Sequence, residues 1–316
     1  MTNVMAEAPA PGSPEKTSAS AEGARGERAP SPAARHGVQG GRIIYADVHR
    51  TKKNGEGYRI TFTTDGVTFR HIDSFLDIPA VAGDKVFVDV LPIHHTDAVI
   101  ELLRGGVEVY YLRRLPLIAK RREELKLSKS AKSDIRVLMS IGDRWFRRVT
   151  EDFLVMRRMI AGYRSLLKSH QQLLNKSKAL SENERNALKP AIKAIEEQMD
   201  ELALKIAEEA GRRYPAYNRL VGELNINSPS GKEALAELMA YVDFANSPLR
   251  GIKKLLGLYR PVKSGKNKHW KLYDGRLRQA INRLAMAYYG TVPTGKQCWT
   301  LVKKLKQLLT ENQTPG

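Results

Sequence analysis

The chain has 316 residues, 42% of them hydrophobic, with 7 Phe, 12 Tyr and 3 Trp, enough for two modest domains with cores of their own. No run of 18 apolar residues occurs, no basic-then-apolar leader opens the sequence, and the single Cys298 excludes an internal disulfide framework and a Cys-cluster zinc site, so a cytoplasmic protein with no membrane span is expected. The 53 Lys+Arg against 34 Asp+Glu give a net charge of +19, and residues 1–40 hold four of each sign, so the whole excess lies in the remainder and predicts a polyanionic partner, DNA or RNA.

Residues 1–40, rich in Ala, Pro, Gly, Ser and Glu and without apolar periodicity, read as a disordered tail. From Gly41 the pattern becomes strand-like: "RIIYADV", "YRITFT" and, after the turn signal Thr64-Asp65-Gly66, "VTFRHI" form an antiparallel meander. "KVFVDV" (85–90) is nearly all apolar, as a central strand covered on both faces would be. Thr96 stands where it would cap the helix "DAVIELLRGG", the two glycines stop that helix, and "VEVYYL" returns as a strand. Three antiparallel strands followed by strand, helix and strand is the order of a ribonuclease-H-like α/β domain, placed at about 41–145.

Two heptad seams follow. Met156, Met159, Tyr163, Leu166, His170 and Leu173 step by 3, 4, 3, 4, 3, and Leu188, Ile192, Ile195, Met199, Leu202 and Ile206 step by 4, 3, 4, 3, 4. Ser181 and Glu184 form a capping box between them, which predicts a helical hairpin at 146–213, with a kink or a helix restart at Pro190. Either a bundle packed on its own domain or a dimerisation arm fits that pattern; His170 reads as a packed polar residue rather than a ligand. From 214 to 310 a small helical domain is expected: a capped helix in "NSPSGKEALAELMAYVDF", another in "SPLRGIKKLLGLY", the basic loop "RPVKSGKNKHW", and "DGRLRQAINRLAMAYY" with arginines along one side.

Between Asn246 and Lys306 there are 15 Lys/Arg and one acidic residue, Asp274. Phosphate contacts are therefore expected from Arg260, Lys263, Lys266, Lys268, Lys271, Arg276 and Arg278 around the hydroxyl of Ser264. A second basic stretch, 113–136, supplies Arg113, Arg114, Lys129 and Lys132; its few aromatics favour backbone contact over base stacking.

In a ribonuclease-H-like order the first and fourth strands run side by side, which brings Asp47 and Asp89 to one edge. Carboxylates so placed repel one another unless a cation joins them, and their oxygens suit magnesium; the alternative is a pair of ordinary strand-end turn residues.

The blocks "ADVH", "VFVDVLPIHHTDAVIELLRGGVEVYYLRR" and "KSAKSDIRVL", then the hairpin, then "LLGLYRPVKSGKNKHWKLYDGRLRQAINRLA", occur in the order found in the Piv-type transposases, the insertion-sequence family numbered one hundred and ten, and resemble its RuvC-like and C-terminal transposase domains from Gly41 to Tyr289. The family's third block reads Lys-Thr-Asp-Lys-x-Asp-Ala-x-x-Leu, and Lys129, Ser130, Lys132, Asp134 and Leu138 match it in register. The resemblance implies a transposase that cleaves and rejoins DNA with a structured noncoding guide RNA, as a homo-oligomer, dimer or tetramer, built through the coiled coil, in a prokaryotic nucleoid. Its four acidic positions, Asp-Glu-Asp-Asp, fall on Asp47, Asp89, Ala131 and Asp134, so magnesium is expected on Asp47, Asp89 and Asp134, with one ligand missing at Ala131. Its nucleophilic serine falls on Ser264, where Lys263 and Lys266 would stabilise an alkoxide. Two rival functions remain: a nucleic-acid-binding relative impaired by Ala131, and a RuvC-like structure-specific nuclease.

Overall fold

The strands β1 (Ile43–Arg50), β2 (Tyr58–Thr63), β3 (Arg70–Ile72), β4 (Lys85–Val88), β5 (Glu108–Leu112) and β6 (Phe146–Arg148) lie side by side in the order β3-β2-β1-β4-β5-β6. β1, β2 and β3 are antiparallel, β4 and β5 run parallel to β1, and β6 closes the far edge antiparallel to β5. This is a computed structural model; it describes residues 41–50, 58–259 and 273–311, all in the unit that begins at Gly40. The tail expected at 1–40 and the basic loop at 260–272 fall outside the described residues.

Ten α-helices accompany the sheet among the described residues: α1 (Thr96–Arg104), α2 (Pro116–Glu124), α3 (Ala131–Ser140), α4 (Glu151–Ser177), α5 (Glu182–Arg213), α6 (Tyr217–Glu223), α7 (Pro229–Tyr241), α8 (Leu249–Leu255), α9 (Gly275–Tyr289) and α10 (Gly295–Thr310). Successive strand residues point to opposite faces, and the sheet is covered on both. Ile44, Ala46, Val86, Val88 and Val109 pack with α1 and the start of α4, through Phe153 and Leu154. Phe87, Leu112 and Phe146 pack with Ile118 of α2 and with Val137 and Leu138 of α3. A third core joins α4 to α10, and Tyr241 touches both it and the first.

The meander, the central strand and the helix–strand return are as the sequence predicts, but three local expectations are corrected. The strand expected at "VTFRHI" begins only at Arg70: the Asp65 carboxylate accepts from the Val67 and Thr68 amides and from Thr63 Oγ1, which folds a wider loop and delays β3. Gly66 has φ +75°, and a Cβ there would stand 2.8 Å from Met139 Cε, so this loop is fitted against α3. Thr96 does not cap α1; it is the first helical residue and its hydroxyl donates back to the Ile93 carbonyl. Of the two alternatives at Pro190, the restart is excluded and the kink is not, because α5 runs through it; the neighbouring residues are exposed, so water can serve the carbonyl that loses its N–H partner.

The capping box is formed: Ser181 N and Oγ both donate to Glu184 Oε2, at 2.9 and 2.7 Å. Of the two seams, Met156, Tyr163 and Ile206 are fully buried in the helical core, while positions from Leu166 out to Met199 are half-buried. The reason is position: the inner turns pack on α7, and the outer turns have each other. His170 bridges the helices by Nε2 to Glu196 Oε1 at 2.8 Å, which makes it a packed polar residue.

α7 is buried almost all round, and two of its buried residues are Glu233 and Glu237, each 0% exposed. Arg283 of α9 reaches both carboxylates, and Arg164 of α4 reaches Glu237. This corrects the picture of α9 as a helix with arginines along one side: Arg283 turns into the core, Arg278 donates to the Gly257 carbonyl at 3.1 Å, and Arg276 is exposed. Burial pushes Glu233 up, and Arg283 opposes it. Removing one partner of such a network strands the other's charge, so Arg283→Ala is expected to destabilise the fold by roughly 3–5 kcal/mol in urea unfolding, more than a surface arginine such as Arg185→Ala.

Candidate active site

β1 pairs with β4 in parallel through Ala46 and Val88, so the next residues, Asp47 and Asp89, stand side by side where β4 ends. Both continue the face of Tyr45 and Phe87, the face covered by α2 and α3. They are buried, at 5% and 8% exposure. Asp89 also serves the sheet locally, because its Oδ1 accepts from the Val48 amide at 3.0 Å and replaces the carbonyl that β4 would have offered had it gone on.

The pair is electrostatically loaded. Burial, then the field of Asp134, pushes Asp47 up to about 6, while His49 and Arg122 pull the other way. Burial, then the charge of Asp47, pushes Asp89 up to about 8, against the amides of Val48 and Val90. Asp134, in the first turn of α3, lies close enough to act on both. Its own partner is Arg122 of α2, whose Nε lies 2.7 Å from Asp134 Oδ1 and whose Nη2 contacts the same oxygen. Ala131 lies three residues before Asp134 on one side of α3, so a carboxylate at 131 would have joined this group.

Pairing register extends the row across the sheet. Thr61 of β2 lies opposite Asp47, and His71 of β3 lies opposite Thr61, with Thr61 Oγ1 and His71 Nδ1 2.9 Å apart. His49, two residues along β1, places Nδ1 3.2 Å from Asp47 Oδ2. Sequence reasoning missed His49, Thr61, His71 and Arg122; the period of two in "ADVH" is a signal for His49, whereas the others depend on pairing and packing that no local pattern carries.

Among the described residues no three His, Cys, Asp or Glu side chains form a ready metal cage. The donor chemistry still fits one hard divalent cation at Asp47 and Asp89: two buried carboxylates, held unwillingly in their ionised forms, offer oxygen ligands only. Asp134 fits less well, since Arg122 already neutralises it.

The remaining predicted residues divide by location. Lys129 and Lys132 are exposed at the start of α3. Arg113 and Arg114 are exposed after β5, and Arg113 joins Arg147 and Arg148 around a cavity of about 460 Å³. Ser264, with Arg260, Lys263, Lys266, Lys268 and Lys271, lies outside the described residues. The two ends of that loop are nevertheless fixed together. Asp274 N donates to the Leu255 carbonyl at 2.9 Å, and Gly257, at φ +63°, packs so tightly on the Tyr273 ring that a Cβ would come within 2.6 Å of it. Arg157 of α4 contacts the Leu91 carbonyl, two residues beyond Asp89; burial holds Arg157 down, and nearby Arg276 of α9 adds to the effect.

Among the described residues no helix is long and apolar enough to cross a membrane. The chain matches no protein-family model, and no curated protein shows significant similarity to it.

Proposed function

We propose that this protein is a transposase or DNA recombinase of the RuvC-like type, which binds DNA together with a structured RNA and cleaves and rejoins strands, with Ser264 as the covalent nucleophile. The observation that carries the reading is the buried Asp47–Asp89 pair at the end of two parallel strands, in a chain of net charge +19. The strand order β3-β2-β1-β4-β5 and the direction of each strand accord with a ribonuclease-H-like sheet.

Asp47 and Asp89 would hold magnesium, with Asp134 as a third ligand once released from Arg122. When bound, the ion supplies charge stabilisation to the attacking and leaving oxygens of the phosphodiester. Lys263 and Lys266, neighbours of Ser264 in the sequence, would supply positive charge to it and lower the cost of its alkoxide. The lysines and arginines of this stretch would hold the DNA backbone and so orient the phosphodiester for Ser264. His49 holds the Asp47 carboxylate through Nδ1 and steadies it.

A second reading is favoured by the Arg122–Asp134 ion pair together with Ala131: a relative that binds nucleic acid without cutting it. The discriminating experiment incubates the full chain with labelled DNA and magnesium and looks for a protein–DNA adduct that survives denaturant. Adduct formed by the wild type and absent from Ser264→Ala is the expected result. Cutting that persists in Ser264→Ala without adduct identifies a nuclease, and salt-sensitive binding with neither product identifies the binding protein.

A further inference from the structure

The outer face of α3 carries Lys132, Arg136 and Ser140 at intervals of four, all exposed and in one line about 12 Å long. An aromatic ring stands near each end. At the first end Phe69, from the loop between β2 and β3, has Lys132 Nζ 5.6 Å and Arg136 Cζ 5.7 Å from its centroid. At the other, Trp145 has Arg144 Cζ at 5.5 Å and borders a cavity of about 360 Å³ lined also by Lys120, Arg121 and Ser140. Both rings are half-buried, so each keeps part of its surface open. Along the line lie five cations, Lys132, Arg136, Lys120, Arg121 and Arg144; Glu124 pairs with Arg121 at 2.7 Å and with Lys120 at 3.8 Å, and the exposed Asp65 and Asp143 stand beside the two ends.

We propose that this face of α3 is a track for single-stranded DNA, with unpaired bases stacked on Phe69 and Trp145 and the phosphates lying along the cations between them. A cationic line alone suits any polyanion, but aromatic rings at both ends select a strand whose bases are free, because in a duplex the base faces are covered. Asp134 follows Lys132 by two positions, which turns Asp134 to the opposite, inward side of α3, towards Asp47 and Asp89. A strand on the outer face is thus one helix thickness from the carboxylates, which makes it the continuation of the strand that is cut and therefore DNA. In this the track rests on the proposed recombinase function. The rings come from residues 69 and 145, outside the basic stretch 113–136, which is why the sequence of that stretch favours backbone contact alone.

Fluorescence anisotropy of the full chain with labelled dT12, a 12-base-pair duplex and rU12 over a salt series tests the track. Phe69→Leu and Trp145→Leu, which keep an apolar side chain, are expected to weaken dT12 binding by roughly 5- to 30-fold each with an unchanged salt slope, while duplex binding changes by less than about twofold. Phe69→Tyr and Trp145→Phe keep a ring and restore dT12 binding. Lys132→Ala with Arg136→Ala lowers the log–log salt slope for dT12 by about 1.4. Leucine variants that bind dT12 as the wild type does, or that lose duplex and single strand alike, overturn the track. Loss confined to rU12 overturns the assignment to DNA. A wild type that binds none of the three probes removes the recombinase function and the track with it, whereas leucine variants that bind as the wild type does remove the track alone, so the two failures are told apart.

Discussion

Asp47→Asn is expected to lower magnesium-dependent strand cleavage by more than about 100-fold and to leave DNA affinity within about twofold. The substitution keeps the shape of the side chain and can keep the contact with His49, but removes the charge that a divalent ion requires. On the proposed function, DNA affinity would come from exposed cations such as Lys129, Lys132, Arg113 and Arg114, none of which touches Asp47. Removing a buried negative charge near the DNA should, if anything, slightly favour binding. Single-turnover cleavage and anisotropy on the same preparation measure both quantities. Cleavage that survives in Asp47→Asn would move the chemistry away from the strand edge, and a parallel loss of binding would mean that the variant had disturbed the sheet.

What could be read from the sequence follows from the range of each interaction. Asp47 and Asp89 stood out because apolar strand patterns ended on them, and the order of strands then placed them side by side, as the register of β1 and β4 does. The capping box at Ser181 was equally legible, since cap and partner are three residues apart. Arg122 and Asp134 are twelve residues apart on different helices, and no periodicity announces that one will neutralise the other. Glu233 and Glu237 were less legible still. Within α7 they look like a solvent-facing i, i+4 pair, and only the approach of Arg283 and Arg164 from other helices allows them to be buried. The heptad seams showed that α4 and α5 face each other; they did not show that only the inner turns reach full burial, because that depends on α7. At Asp65 the turn was legible and the start of the next strand was not, since one carboxylate accepting several local donors holds a wide loop up to Arg70.

The second large effect is on stability. In chelator-treated protein, stability is expected to fall on the order of 5 kcal/mol between pH 5 and pH 9 through the carboxylate pair alone. The sign follows from proton binding: in the folded state Asp47 and Asp89 are pushed up to about 6 and about 8, from the ordinary 3.8. The folded protein therefore holds protons that the unfolded chain has released, and the stability present below about pH 4 is lost as pH rises through these values. His94 and His95 act in the opposite sense, because burial holds them down and the fold gains as they lose their protons. Comparison with Asp89→Asn cancels the histidines. That variant keeps an oxygen for the Val48 amide and is expected to melt roughly 5–10 °C above the wild type at pH 8 without metal, and at the same temperature at pH 4. Magnesium should raise the wild-type melting temperature at pH 8, since an ion that binds only the folded state stabilises it, and should have little effect at pH 5, where protons compete. Asp89→Asn should show no magnesium response at either pH. Equal pH profiles for the two proteins would show that the pair bears no mutual strain. A clear pH difference with no magnesium response in the wild type would instead leave two repelling carboxylates that no cation joins, which is the signature of the binding-only relative.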